Sequence, residues 1–243
     1  MRERLLYYAI RYSGDYNKIR KAIDCNEKYT KIIYDGNYLC ICDKEYPNIL
    51  KELKNPPYVL FYEGDLSLLY KDAVSVVGSR DITRLGKSYI ELLMKYINKE
   101  YVIISGMAKG VDGFTHNLAL TSHNTIGVIG CGLDIAYPAE NNELYKRMKK
   151  DQLLISEYPK GVKPYAWHFP MRNRIIAALG KCLVVIEAKK RSGTLLTVNE
   201  ALELDREVFC FPYPFIENEV SGCNLLIESG ASVIVDISTM KEL

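Results

Sequence analysis

The chain has 243 residues, 48% hydrophobic and 26% charged, which supplies a full core for one α/β domain or for one domain with a small appendage. Its formal net charge is only +2, from 32 Lys and Arg against 30 Asp and Glu. That balance excludes a tail-type binder held by bulk charge, but leaves room for a local basic patch. No run of about 18 apolar residues occurs, so no membrane span is expected.

Residues 1–42 are rich in Tyr and Lys and hold one or two helices at most. The start, MRERLLYYAIRYSGDYNKIR, has charges on both sides of a short apolar run and lacks the h-region and cleavage site of a signal peptide. We expect a short helical appendage over 1–42 and the main domain over 43–243. Asn55-Pro56-Pro57 breaks any helix, and 58–62 reads as a strand ending at Glu63-Gly64-Asp65.

From residue 73 onward, short and continuously apolar runs alternate with helical patterns. The expected strands are 73–77, 101–104, 125–129, 153–156, 182–186, 208–211 and 232–235. The expected helices are 88–98, 114–120, 142–149, 173–179, 196–204 and 224–228. Such alternation implies right-handed crossovers. The predicted class is α/β: an extended, Rossmann-like, mostly parallel sheet with helices on both faces, plus the short N-terminal helical segment.

The seven cysteines, at 25, 40, 42, 131, 182, 210 and 223, are odd in number and scattered. Cys40 and Cys42 are too close for a CxxC pair and no His-rich partner comes after them, so reduced thiols in a cytoplasmic protein are expected, with no metal site.

The loops that leave the strands carry the functional signal. Gly78-Ser79-Arg80 comes after the first strand of the alternating region, and Ser105-Gly106-Met107-Ala108-Lys109-Gly110 after the second. Then come Gly130-Cys131-Gly132-Leu133-Asp134, the loop from Ser156-Glu157 to Arg172-Asn173-Arg174, and Glu187 with Lys189-Lys190-Arg191-Ser192-Gly193-Thr194. In a parallel sheet these loops emerge at one carboxyl-terminal edge, where open α/β sheets bind ligands. Glycine allows close backbone approach and the next helix aims its free N–H groups there, so added Arg and Lys make an anion site. Two named motifs fail. Gly86-Lys87-Ser88 resembles the end of a Walker A loop, but the required upstream glycine is Asp81. Gly130-Cys131-Gly132 begins like GxGxxG, but its third glycine is Ile135.

Taken together, Tyr46-Pro47-x-x-Leu50, VVGSR (76–80), SGMAKGVDGFTH (105–116), TIGVIGCGLDIAYP (125–138), SEYP (156–159), FPMRNRIIAAL (169–179), VVIEAKKRSGTLLT (184–197) and SGCNLLIESGA (221–231) resemble the DNA-processing protein family, DprA/Smf. The resemblance covers about residues 46–237, with its motifs in order. It implies a sequence-independent single-stranded DNA-binding protein without catalysis or cofactor, active in natural transformation or recombination, and a homodimer that assists the RecA recombinase. Carried over residue by residue, the DNA-binding positions are Gly78, Ser79, Arg80, Ser105, Gly106, Lys109, Gly110, Arg172, Arg174, Lys190, Ser192 and Gly193, with Asn173 between the two arginines. The sequence departs from the family's GID-x-x-AH at Gly110–His116, keeping Asp112 and His116, and has Pro212-Tyr213-Pro214 where Pro-Gly is usual. Many relatives also carry a larger N-terminal helical domain or a C-terminal winged-helix-like one.

Each residue has a plainer alternative. Arg80 is placed to bond a phosphate with two N–H groups, or else to pair with Asp81 or Asp112. Arg172 and Arg174 sit at an expected helix start, where the dipole favours an anion. Trp167, His168 and Phe169 stack on bases or pack. Asp112 and His116, four apart on a helix, are read as loop support by hydrogen bonding in preference to acid–base catalysis, and Glu187 as a brace between loops. The competing functional class is a small-nucleotide enzyme resembling phosphoribohydrolases, with Ser192-Gly193-Thr194 and Glu200 in comparable places but no double glycine. A nucleotide sensor on the same fold is a third.

Overall fold

The computed structural model describes residues 1–190, 192–215 and 221–243; Arg191 of the predicted basic run lies outside them. Among the described residues nine strands form one sheet in the order β1-β2-β6-β5-β4-β3-β7-β8-β9. The parallel part comprises β3 (Ala73–Val77), β4 (Val102–Ser105), β5 (Thr125–Ile129), β6 (Leu153–Ser156), β7 (Cys182–Val185), β8 (Glu207–Cys210) and β9 (Ser232–Val233). Two antiparallel strands, β1 (Asn37–Cys40) and β2 (Val59–Gly64), extend it beyond β6.

Strands β3 to β7 are apolar on both sides because both faces are covered. Along β3, Val74 and Val76 face Ile90 and Leu93 of α4 (Arg84–Tyr96) and Val111 and Ala119 of α5 (Val111–Ser122). Ala73 and Val77 turn the other way, toward Ile175 and Ile176 of α7 (His168–Leu179) and Val198 and Ala201 of α8 (Thr194–Glu203). This is the period-two alternation of a strand, with an apolar residue at both phases. Ser75, the polar member of that strand, is satisfied by donating to the Ile176 carbonyl at 2.6 Å.

The N-terminal helices α1 (Arg2–Arg11) and α2 (Tyr16–Asp24) bury Leu5, Leu6 and Ile19 in one cluster with Phe61 of β2 and Leu144 of α6 (Asn142–Asp151). A one-turn helix, α3 (Asn48–Lys51), and the C-terminal pieces α9 (Gly222–Glu228) and α10 (Ile237–Glu242) complete the layers. The α/β class with helices on both faces is as the sequence implied, while β1 was not anticipated. Helix α7 begins five residues before the expected residue 173. Pro170 falls within its first turn, where a missing N–H breaks no intrahelical bond, so the segment read as loop is helix. Helix α4 begins at Arg84 because Thr83 caps it, its Oγ1 accepting from Gly86 N at 3.1 Å. All seven cysteines are free; Cys40, Cys131, Cys182, Cys210 and Cys223 are buried, and Cys25 and Cys42 are exposed. No described helix is long and apolar enough to cross a membrane.

This order fixes where a ligand can sit. The chain leaves β3 through α4 on one face, whereas β7 is entered through α7 on the other, so strand order reverses between β3 and β7. The crevice at their carboxyl ends is the topological switch point.

Candidate nucleic-acid interface

A cleft of about 630 Å³ opens at that switch point. Gly78, Ser79 and Arg80 after β3 line one side, Ser192, Gly193 and Thr194 at the start of α8 another, and Phe169, Arg172 and Asn173 of α7 a third. A smaller chamber of about 70 Å³ adjoins it under the loop after β4, lined by Gly106 and Lys109 and sharing Arg80, Phe169 and Arg172 with the main cleft.

Arg80 is exposed, and its guanidinium lies 5.7 Å from the Phe169 ring centroid. Among the described residues no carboxylate comes within 4.0 Å of it. Asp81, its expected alternative partner, pairs instead with Lys189 at 3.1 Å. The loop that carries Arg80 is fixed from beneath: Ser79 N donates to the Glu187 carbonyl at 2.7 Å, and Val111 N to the Ser79 carbonyl at 3.0 Å. Gly110 permits this closeness, because its φ is +73° and an added Cβ would lie 2.3 Å from the Ser79 carbonyl oxygen.

Arg172 is 6% exposed, its Nη1 donates to the Val128 carbonyl at 2.9 Å, and its Nε has no protein partner. It reaches this position only because residue 106 is glycine: a Cβ there would lie 1.7 Å from Arg172 Nη1 and 2.6 Å from Asp112 Oδ2. Burial pushes the Asp112 carboxyl above the usual range against the pull of Arg172, and burial lowers the Arg172 guanidinium against the pull of Asp112. The two charges face each other across Gly106 without closing an ion pair. A buried guanidinium with an unused N–H at the back of an open cleft is suited to an anionic or hydrogen-bond-accepting ligand.

Helices α5, α7 and α8 all begin at this edge and none has a side-chain cap. By contrast α4 and α9 at the same edge are capped by Thr83 and Ser221. In α5 the Val111 and Gly113 amides are already taken by the Ser79 and Ala108 carbonyls, so what these helix starts lend the cleft is the positive end of their dipoles more than free N–H groups.

The remaining expected positions lie elsewhere. Ser105 is fully buried and donates to the Val76 carbonyl at 2.6 Å, so its hydroxyl serves the sheet. Lys109 is exposed and pairs with Glu140, and Lys190 is exposed beyond the cleft's lining. Arg174 points away from the cleft. It is 3% exposed, donates from Nη2 to both Glu157 oxygens at 2.8 and 2.9 Å, and from Nε to the Asn55 carbonyl at 2.8 Å. With the true start of α7 at His168, neither arginine sits on the helix's first amides. They are two residues apart, so they project to different sides.

His116 does not hydrogen-bond to Asp112. The Thr125 hydroxyl donates to the Ile103 carbonyl at 2.6 Å, so His116 Nδ1, 2.8 Å away, carries the proton and donates to that hydroxyl, tying α5 to β5. Burial lowers its pKa to about 3. Glu187 Oε2 accepts from Thr83 N and Thr83 Oγ1, both at 3.0 Å, joining the loop after β7 to the start of α4. Sequence reasoning missed Tyr137, Pro164, Ala166 and Leu196 on the cleft wall. They are apolar or aromatic residues in loops and at a helix start, with no periodic signal to mark them. Among the described residues no group of three or more His, Cys, Asp or Glu is placed to hold a metal.

A Rossmann-like sheet with a basic cleft at its switch point defines a class of phosphate- and nucleotide-binding proteins. Within it, the family model described as DNA recombination-mediator protein A matches residues 37–243, and the chain belongs to that family, DprA/Smf. It is 43% identical over 201 residues to DNA processing protein DprA of Bacillus subtilis, covering 82% of this chain and 68% of that protein. The solved DprA of Streptococcus pneumoniae superposes with a TM-score of 0.81 at 34% identity, covering 98% of this chain and 91% of that one. DNA processing protein A of Helicobacter pylori, described for a unique single-stranded DNA binding mode, superposes at 0.76 with 31% identity, over 84% of this chain and 94% of that one.

Proposed function

We propose that the cleft between β3 and β7 binds single-stranded DNA through its phosphates, without sequence preference and without catalysis. The observation that carries this reading is Arg80, a guanidinium with no carboxylate partner among the described residues, at the mouth of the cleft and above the buried Arg172. Gly78, Ser79, Asn173, Ser192 and Gly193 supply close backbone approach and polar contacts on its walls. Lys109 and Lys189 exchange weak surface pairs with Glu140 and Asp81 for phosphates, and Lys190, exposed just beyond the lining, adds a further positive charge. The single-stranded DNA binding mode of the Helicobacter pylori relative supports the choice of ligand.

As in the family resemblance, the bound strand is protected in the cytoplasm and passed to a RecA-type recombinase by a homodimer during transformation or recombination. A phosphoribohydrolase-like reaction is disfavoured because Glu200 does not line the cleft. The acids that do are Asp81, paired with Lys189, and Asp112, buried against Arg172.

A gel-shift comparison of single- and double-stranded oligonucleotides of several sequences, at two salt concentrations, tests this. Tighter binding of single strands, indifferent to sequence and weakened by salt, is expected. Preference for duplex, or binding insensitive to salt, would count against it.

A further inference from the structure

Two half-exposed aromatic rings stand outside the cleft. Tyr165 is 52% and Trp167 51% exposed, and their rings are nearly parallel, 7° apart with centroids at 6.5 Å. They are not loose. Trp167 meets His168 edge-on at 4.0 Å, His168 stacks on Tyr158 at 3.7 Å, and His168 Nδ1 lies 2.8 Å from the Gly130 carbonyl. The rings are thus pre-ordered from behind while their outer surfaces stay in water. Rigid exposed aromatic surface of this kind marks a recognition site more than a packing remnant.

Their placement says what they recognise. Pro164 and Ala166, the intervening residues of the same loop, form part of the cleft wall, and Phe169 just beyond them faces Arg80. Lys163, exposed in that loop, has no carboxylate within 4.0 Å among the described residues. A cation without a carboxylate partner among the described residues, in the same loop as parallel aromatic faces and continuous with a cleft for phosphates, matches an unpaired polynucleotide strand and not a duplex, whose bases are hidden.

We propose that Tyr165 and Trp167 form a stacking ledge for bases of the same strand beyond the nucleotides held in the cleft, with Lys163 on the adjoining phosphate. This rests on the reading of the cleft as a single-stranded DNA site and lengthens that site on the side of the loop after β6. The ledge engages only strands long enough to leave the cleft.

Trp167 is the chain's single tryptophan, so its emission reports on the ledge alone. The experiment titrates the full chain with oligothymidylates of about 4 and about 12 nucleotides, following Trp emission and, in parallel, the anisotropy of end-labelled strands. Both lengths should bind, and only the longer should quench Trp167. Tyr165→Ala and Trp167→Leu should each weaken the longer strand on the order of tenfold and leave the shorter one unchanged. Emission unchanged in a bound long strand, with affinities unaffected by either variant, overturns the ledge and leaves the cleft reading standing. The emission readout needs no variant, so a misfolded substitution does not spare the proposal. If no oligonucleotide binds the wild-type protein, the cleft reading falls and the ledge with it. If emission shifts with protein concentration in the absence of DNA, the rings cover a second copy of the chain and the ledge is overturned.

Discussion

Arg174 and Glu157 form an ion pair inside the protein, each side chain only 4% exposed, with one guanidinium nitrogen bonded to both carboxylate oxygens. Burial works against both charges. It pushes the Glu157 carboxyl up, whereas the carboxylate contact more than offsets burial for Arg174 and raises it. The guanidinium does not deprotonate, so the two-point contact holds the pair charged. Arg174 also bonds the Asn55 carbonyl, so the pair fastens α7 to the segment before β2 and to the loop after β6.

Removing one partner leaves an uncompensated buried charge. Arg174→Ala should cost about 3–5 kcal/mol of stability in urea unfolding, with Glu157→Ala similar and the double variant less than the sum. DNA affinity of the folded fraction should be unchanged, which separates Arg174 from Arg172 and Arg80.

Gly106→Ala tests how Arg172 is seated. The added methyl overlaps Arg172 Nη1, so the guanidinium must leave its place against the Val128 carbonyl. We expect about 1–3 kcal/mol of destabilisation by denaturant titration, together with weaker oligonucleotide binding. A variant with normal affinity would remove Arg172 from the site.

The acid limb of stability should report His116. Its folded pKa of about 3 lies below the ordinary value, so the unfolded chain takes up a proton that the folded chain refuses. The contribution is complete above about pH 6.5 and is lost as pH falls from there toward 3. At pH 4.5 the loss from this group is about 2–3 kcal/mol. His116→Gln, compared with the wild type by unfolding at several pH values, should flatten the profile in that window.

Asp81 pairs with Lys189 and places a negative charge on the cleft lining, which under the proposed function opposes phosphate there. Asp81→Asn should strengthen oligonucleotide binding roughly twofold to threefold at low salt, with little effect near physiological ionic strength.

Much of this was legible from residue order. Strands β3, β5 and β6 were delimited by their apolar runs, and the loops after β3 and β7 were marked by glycine next to Arg or Lys. The division of labour between Arg172 and Arg174 was not. Both belong to one short motif, and only the true start of α7 shows that one points to the cleft and the other into the core. That start lies inside the segment from Ser156-Glu157 to Arg172 that reads in sequence as one long loop. Likewise, Asp112 and His116 share a helix spacing, but the partner of His116 is Thr125 of β5, a contact that no local pattern encodes. Strand β1 escaped because a four-residue edge strand with only its last two positions buried carries too little alternation.

The most direct measurement is oligonucleotide affinity as a function of salt for the wild type and Arg80→Ala. If the cleft holds phosphates, the logarithm of the binding constant falls linearly with the logarithm of salt, by about 0.7 per neutralised phosphate on a single strand. Arg80→Ala should then bind more weakly at low salt, with a slope shallower by about 0.7 and unfolding stability unchanged. Equal affinity and equal slope in the two proteins would contradict the assignment of the cleft as the DNA site.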